Sequence, residues 1–136
     1  MVILAVILTL LTVVIHSVAT LCAITRFGKR GKLATNSPMR VVVRMALLVT
    51  FLLVVHLAEA GLWGAAYFFS GKFTEPSTAF YYSLSSYTTV GYGDVVLDHG
   101  SRVVGPIESV VGVLMMGWST ALIVNIVQKT HAFSEA

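Results

Sequence analysis

The sequence predicts an all-α membrane protein with three transmembrane helices and, between the second and third, a short re-entrant helix followed by an irregular segment. Three observations predict it. Hydrophobic residues make up 57% of the 136 positions and charged residues only 11%, too few for a soluble surface. Residues 2–23, 41–69 and 103–127 are apolar and reach the roughly 20 residues that span hydrocarbon. A short aromatic run then breaks into a segment punctuated by glycine.

Residues 1–25 form the first element. No basic residue precedes the apolar stretch, which is long for a signal peptide and is followed by Arg26, Lys29 and Arg30, so it reads as a retained helix. The single cysteine, Cys22, ends that stretch as a packed thiol, with no redox or metal role.

Residues 26–40 are a basic loop. Six of the nine Lys and Arg residues fall between Arg26 and Arg44, a topology signal rather than a nucleic-acid footprint: it puts the loop and the carboxyl end in the cytoplasm and the amino end outside. Lys129, in a short cytoplasmic tail at 129–136, fits the same side. Anionic lipid at the loop is a second, compatible reading.

In the second helix, 41–69, His56 and Glu59 share a face. They read as a snorkelling pair, with Trp63 and Tyr67 in the interfacial aromatic belt. The connection at 70–102 is too long for a turn. Glu75, Pro76 and Ser77 open a helix at 76–87, half a membrane deep, which gives way at residues 88–94, TTVGYGD. The last helix, 102–128, carries Glu108.

A cation entering a bilayer must exchange water for fixed oxygens, and a row of backbone carbonyls supplies them without net charge. Gly91 and Gly93 alternate with Val90 and Tyr92, so left-handed backbone is available where the carbonyls must turn inward. The Thr89 hydroxyl adds one oxygen at the inner end, while Thr88 packs behind. Such backbone is tolerated at this depth only inside protein or against water, which a pore helix and two flanking spans provide.

TTVGYGD between two spans resembles the bacterial tetrameric potassium channels of the pore-loop type, built from an outer helix, pore helix, filter and inner helix. The likeness covers about residues 40–128 and leaves the first helix as an addition. It implies a homotetramer in the cell membrane that conducts K+ passively, with no organic cofactor and no covalent chemistry. Carbonyls of Thr89, Val90, Gly91 and Tyr92 would hold the ion. Tyr92 stands where nonselective relatives carry an acidic residue.

The candidates for filter support are Thr88, Gly93, Asp94, Tyr81, Ser85 and Glu108. Ser85 departs from the pattern, since some relatives place a carboxylate there. Tyr81 would reach Asp94, or simply pack. Glu108 would brace the filter from behind, or, as the favoured reading, sit near a helix start after Pro106 and reach the outer interface. Gly112 and Gly117 are hinge candidates, with close helix packing as the alternative. Val113, Met116, Thr120, Val124 and Gln128 would line the cavity, Met116 rather than Met115, with Val124 a constriction.

His16 and His99 read as isolated and structural or solvated, and Asn125 as an interhelical amide. No span carries an arginine ladder, which argues against voltage sensing, and the nine residues after Val127 are too few for a ligand-binding domain. Two rival functions differ in class: a nonconducting subunit on the same fold, and an intramembrane enzyme. The spans are expected to hold no His–Glu metal pair and no Ser–His arrangement, which disfavours the enzyme.

Overall fold

A computed structural model describes residues 1–28 and 38–131, which are helical apart from connections. Four helices follow in order: α1 Val2–Phe27, α2 Pro38–Phe69, α3 Pro76–Tyr87 and α4 Val104–His131. α1, α2 and α4 are each long and apolar enough to cross a membrane. Lys29, Arg30 and Lys32 of the basic loop, and the tail from residue 132, lie outside the described residues.

Helix ends differ from expectation for local reasons. α2 begins at Pro38 rather than 41, because proline suits a first turn. α1 continues past residue 25 to Phe27, where the Gly28 N–H closes on Ile24 O at 2.9 Å. α4 starts at Val104 rather than 102, because Ser101 and Arg102 donate their N–H groups back to Asp98 O, each at 2.9 Å, in a preceding turn. It also runs past 128, taking up part of the expected tail.

α1 buries one stripe, Ala5, Leu8, Thr12, His16, Ala19 and Ala23, at spacings of three or four. The alanines allow close approach to α2 and α4, and Leu10, Val14, Val18 and Leu21 stay exposed on other faces. Trp63 Nε1 donates to Thr12 Oγ1 at 3.0 Å. Trp63 and Tyr67 are fully buried, which corrects their assignment to the interfacial belt: α1 and α3 cover the face of α2 on which they lie.

α3 wedges between α2 and α4 because glycines on both sides leave room. A Cβ at Gly64 would lie 3.0 Å from Phe80 Cα, and one at Gly112 would lie 2.0 Å from Tyr87 O. Gly112 is eight residues into α4, about 12 Å along its axis. α3 therefore descends beside α4 and stops there, which makes it re-entrant rather than spanning. A cluster around Trp63, Tyr67, Tyr82, Tyr87, Val111 and Met115 packs this half, and a smaller one around Leu48, Leu52, Leu122 and Ile126 packs the other.

Candidate functional site

TTVGYGD leaves the carboxyl end of α3. Thr88 caps that end, its N–H and hydroxyl both directed at Leu84 O at 3.1 and 2.7 Å. Thr89 N–H then donates to Ser86 O at 3.0 Å, and Gly91 N–H to Ser85 O at 3.2 Å. Backbone handedness alternates beyond this point: φ is +62° at Thr89, +54° at Gly91 and +78° at Gly93, and not positive at Val90 or Tyr92. Such alternation turns successive peptide units to one side. Glycine adopts these angles freely, whereas β-branched Thr89 is strained there, by roughly 1–3 kcal/mol. Val90 and Tyr92 project outward, 51% and 73% exposed, so this segment offers apolar and aromatic surface to whatever surrounds it.

Three contacts anchor the outer end. Tyr81 donates its hydroxyl to Asp94 Oδ2 at 2.8 Å, and its ring stacks within 4° of parallel on Tyr92, centroids 6.5 Å apart. Lys72 Nζ lies 2.7 Å from Asp98 Oδ2. The Lys72 ammonium holds the Asp98 carboxyl below the usual range, helped by the Ser101 hydroxyl and the Gly100 amide.

Behind α3, Glu108 is fully buried. Tyr67 donates to its Oε2 at 2.7 Å, and Ser83 Oγ lies 2.5 Å from Oε1. Glu108 therefore does not reach the outer interface, which corrects the favoured expectation. Tyr67 and Ser83 hold it inside, between α2 and α3. Ser85 contributes its carbonyl to Gly91, and its side chain borders a cavity of about 340 Å³ shared with Ser86, Thr89, Gly91, Gly93 and Ser109. Val95, Val96, Leu97 and Arg102 also line it, and no carboxylate is among the lining residues.

A second polar cluster lies deeper, of which the sequence brings together only His56 and Glu59. Glu59 is fully buried and accepts a hydrogen bond from the Tyr87 hydroxyl at 2.5 Å. His16 Nδ1 is 3.0 Å from its Oε1, and His56 Nδ1 3.4 Å from its Oε2. Ser119 Oγ lies 3.0 Å from His56 Nε2 and 3.3 Å from His16 Nε2. The pair His56 and Glu59 does not snorkel, because α1, α3 and α4 close over it. Nor is His16 isolated, and the expectation that the spans bring no His–Glu or Ser–His groups together is overturned. One signal could have found it: His16 falls four residues after Thr12 on the small-residue stripe of α1, the face that must meet protein. His99 is exposed beside Arg102, and Asn125 is exposed on α4.

α4 buries Val104, Glu108, Val111, Met115, Ser119, Leu122 and Ile126 at helical spacing. Val113, Thr120, Val124 and Gln128 are exposed on the opposite face, with Met116 half-buried at its edge. Gly112 meets Tyr87 O closely, as packing requires, whereas a Cβ at Gly117 would meet nothing within 4 Å.

A helical multi-pass membrane protein with a re-entrant helix between its last two spans is the class that fold and site define. Residues 45–129, more than half of the chain, match the family model described as Ion channel, and the chain belongs to that family. α1 lies before the matched region. No curated protein and no solved structure matches the chain.

Proposed function

We propose that this ion channel is selective for potassium. Carbonyls of Thr89, Val90, Gly91 and Tyr92, with the Thr89 hydroxyl, replace the water shell of K+ and pass it down its gradient. The observation that carries this reading is the alternating backbone of TTVGYGD at the foot of a re-entrant helix, with positive φ at Thr89, Gly91 and Gly93.

A carbonyl cage needs several strands around one axis, so the functional unit is a homotetramer. The exposed Val90 and Tyr92, and the exposed stripe of Val113, Thr120 and Val124, support it as surfaces that neighbouring subunits and a central cavity would occupy. Gly93, Asp94, Tyr81 and the Glu108 contacts support the filter, and Val124 is the candidate hydrophobic constriction on the cavity-lining stripe of the last helix. Gly117 remains the hinge candidate, since Gly112 has a packing role. In the cell membrane the amino end lies outside and the carboxyl end in the cytoplasm, on the weight of six of nine basic residues between Arg26 and Arg44.

The test is the reversal potential of liposomes holding the protein, under a potassium gradient opposed by sodium. A potential near potassium equilibrium that vanishes with Gly91→Ala supports the reading, because alanine at φ +54° costs roughly 1–2 kcal/mol in each strand. A folded tetramer that carries sodium equally well would overturn it.

A further inference from the structure

We propose that His16, His56 and Glu59 form a binding site for one divalent transition-metal ion, with Zn2+ as the probe. The site joins α1 to α2 and touches the last residue of α3, and nothing in ion conduction calls for it.

The three side chains present their ligand atoms to one point, all within 4.8 Å of one another. His16 Nδ1 stands 3.0 Å and His56 Nδ1 3.4 Å from the Glu59 carboxylate oxygens. In a tetrahedral zinc site with bonds near 2.0–2.1 Å, neighbouring ligand atoms are roughly 3.3 Å apart, so small shifts suffice to admit the ion.

The surroundings orient the ligands as a metal requires. Ser119 Oγ lies 3.0 and 3.3 Å from the two Nε2 atoms. A hydroxyl can donate one proton and accept at two lone pairs, so Ser119 can partner the outer nitrogen of each ring in either tautomer. An ion entering here displaces the Nδ1 protons through which His16 meets Glu59 and His56 meets the Tyr87 oxygen, each at 3.0 Å, and the Nε2 nitrogens beside Ser119 then carry the N–H. Three Lewis bases then face one ion in a dry interior. Tyr87 meanwhile fixes the carboxylate through Oε2. A shared acceptor on the outer nitrogens and a donor on the carboxylate are the second layer that metal ligands ordinarily carry.

The chemistry of the set selects the metal. Two imidazoles and one carboxylate suit zinc and its neighbours, whereas calcium and magnesium favour all-oxygen cages. The groups bonded to Glu59 are His16, His56 and Tyr87, none with a fixed positive charge. A cavity of about 250 Å³ between α2 and α4 has His56 and Ser119 in its wall.

The test uses the whole chain in lipid nanodiscs, stripped with a chelator and titrated with Zn2+ against a competing dye. One Zn2+ per chain is expected, with affinity falling at least about 100-fold in Glu59→Gln and about 10–100-fold in Ser119→Ala, which keeps all three ligands. His99→Gln, in the exposed loop, should leave it unchanged. Zn2+ absorption spectroscopy of the unmodified protein should give imidazole scattering with bonds of roughly 2.0–2.1 Å. Wild-type binding no tighter than that of a folded Glu59→Gln chain, or a spectrum without imidazole, overturns the proposal. These readouts stand apart from ion selectivity, so either proposal can fail alone.

Discussion

Ser83 Oγ lies 2.5 Å from Glu108 Oε1 and also 2.6 Å from Ala60 O. A serine has one proton to give, and a backbone carbonyl can only accept. With Tyr67 already donating to Oε2, the count closes when Ser83 donates to Ala60 and Glu108 donates to Ser83. Glu108 is thus a neutral carboxylic acid that ties α4 to α3 and, through Ser83, to α2.

Glutamine can replace it in kind, giving an N–H to Ser83 and a carbonyl to Tyr67. Glu108→Gln should hold stability within about 1 kcal/mol of wild type. Glu108→Ala, which leaves a void and an unpaired Tyr67 hydroxyl, should lose about 2–4 kcal/mol. Thermal unfolding of the reconstituted protein measures both, and equal losses in the two variants would show that the proton is not there.

Gly112 and Gly117 separate in the same way. A methyl at Gly112 would lie 2.0 Å from Tyr87 O, a backbone atom that cannot swing aside. Gly112→Ala should therefore cost about 3 kcal/mol or more in stability. Gly117→Ala meets nothing within 4 Å in its own chain and should gain up to about 1 kcal/mol of helix propensity. If Gly117 bends during opening, single-channel recording should show a lowered open probability in that stabilised variant. An unchanged open probability would remove it as a hinge.

Helix existence and the re-entrant element were readable because each depends on local pattern: apolar length for the spans, and Pro76 followed by aromatics and then GYG for α3. Polar residues in the spans were harder. Glu108, Glu59, Trp63 and Tyr67 all read as facing water, because sequence shows how far along a helix a group lies, not which neighbour covers it. Their burial follows from docking α1 and α3 against α2, a contact between residues as distant as His16 and Glu59, 43 positions apart. Periodicity within one helix cannot report such a pairing, although the stripe that holds Thr12 and His16 does mark the face that must find a partner.

The Lys72–Asp98 pair should make the outer loop sensitive to acid. Lys72 lowers the Asp98 carboxyl in the folded chain, so its contribution is full above the ordinary carboxylate value and is lost as pH falls through the lower folded value. Ser101 and Arg102 donate to Asp98 O, and their amides report on the loop. Hydrogen exchange, corrected for intrinsic rates, should show their protection falling in that acid range toward the level of Lys72→Met, whose own pH dependence should be smaller because only the Ser101 hydroxyl and Gly100 amide still hold Asp98. Parallel profiles for the two proteins would mean that the pair, exposed as it is, contributes nothing measurable.

Thr89 holds a left-handed φ of +62° with a β-branched side chain, next to Val90, whose φ is not positive. Glycine at position 89 removes that strain, while glycine at 90 only adds flexibility to the unfolded chain and loses a side chain. Thr89→Gly should thus be better tolerated than Val90→Gly by about 1–2 kcal/mol in thermal unfolding of the reconstituted protein. If the Thr89 hydroxyl supplies an oxygen to K+, that better-tolerated variant should nonetheless shift the reversal potential away from potassium equilibrium, and Thr89→Ser, which keeps the hydroxyl, should restore it. Full selectivity in Thr89→Gly would instead mean that the strained threonine is held for packing at the end of α3 and that the carbonyls alone choose the ion.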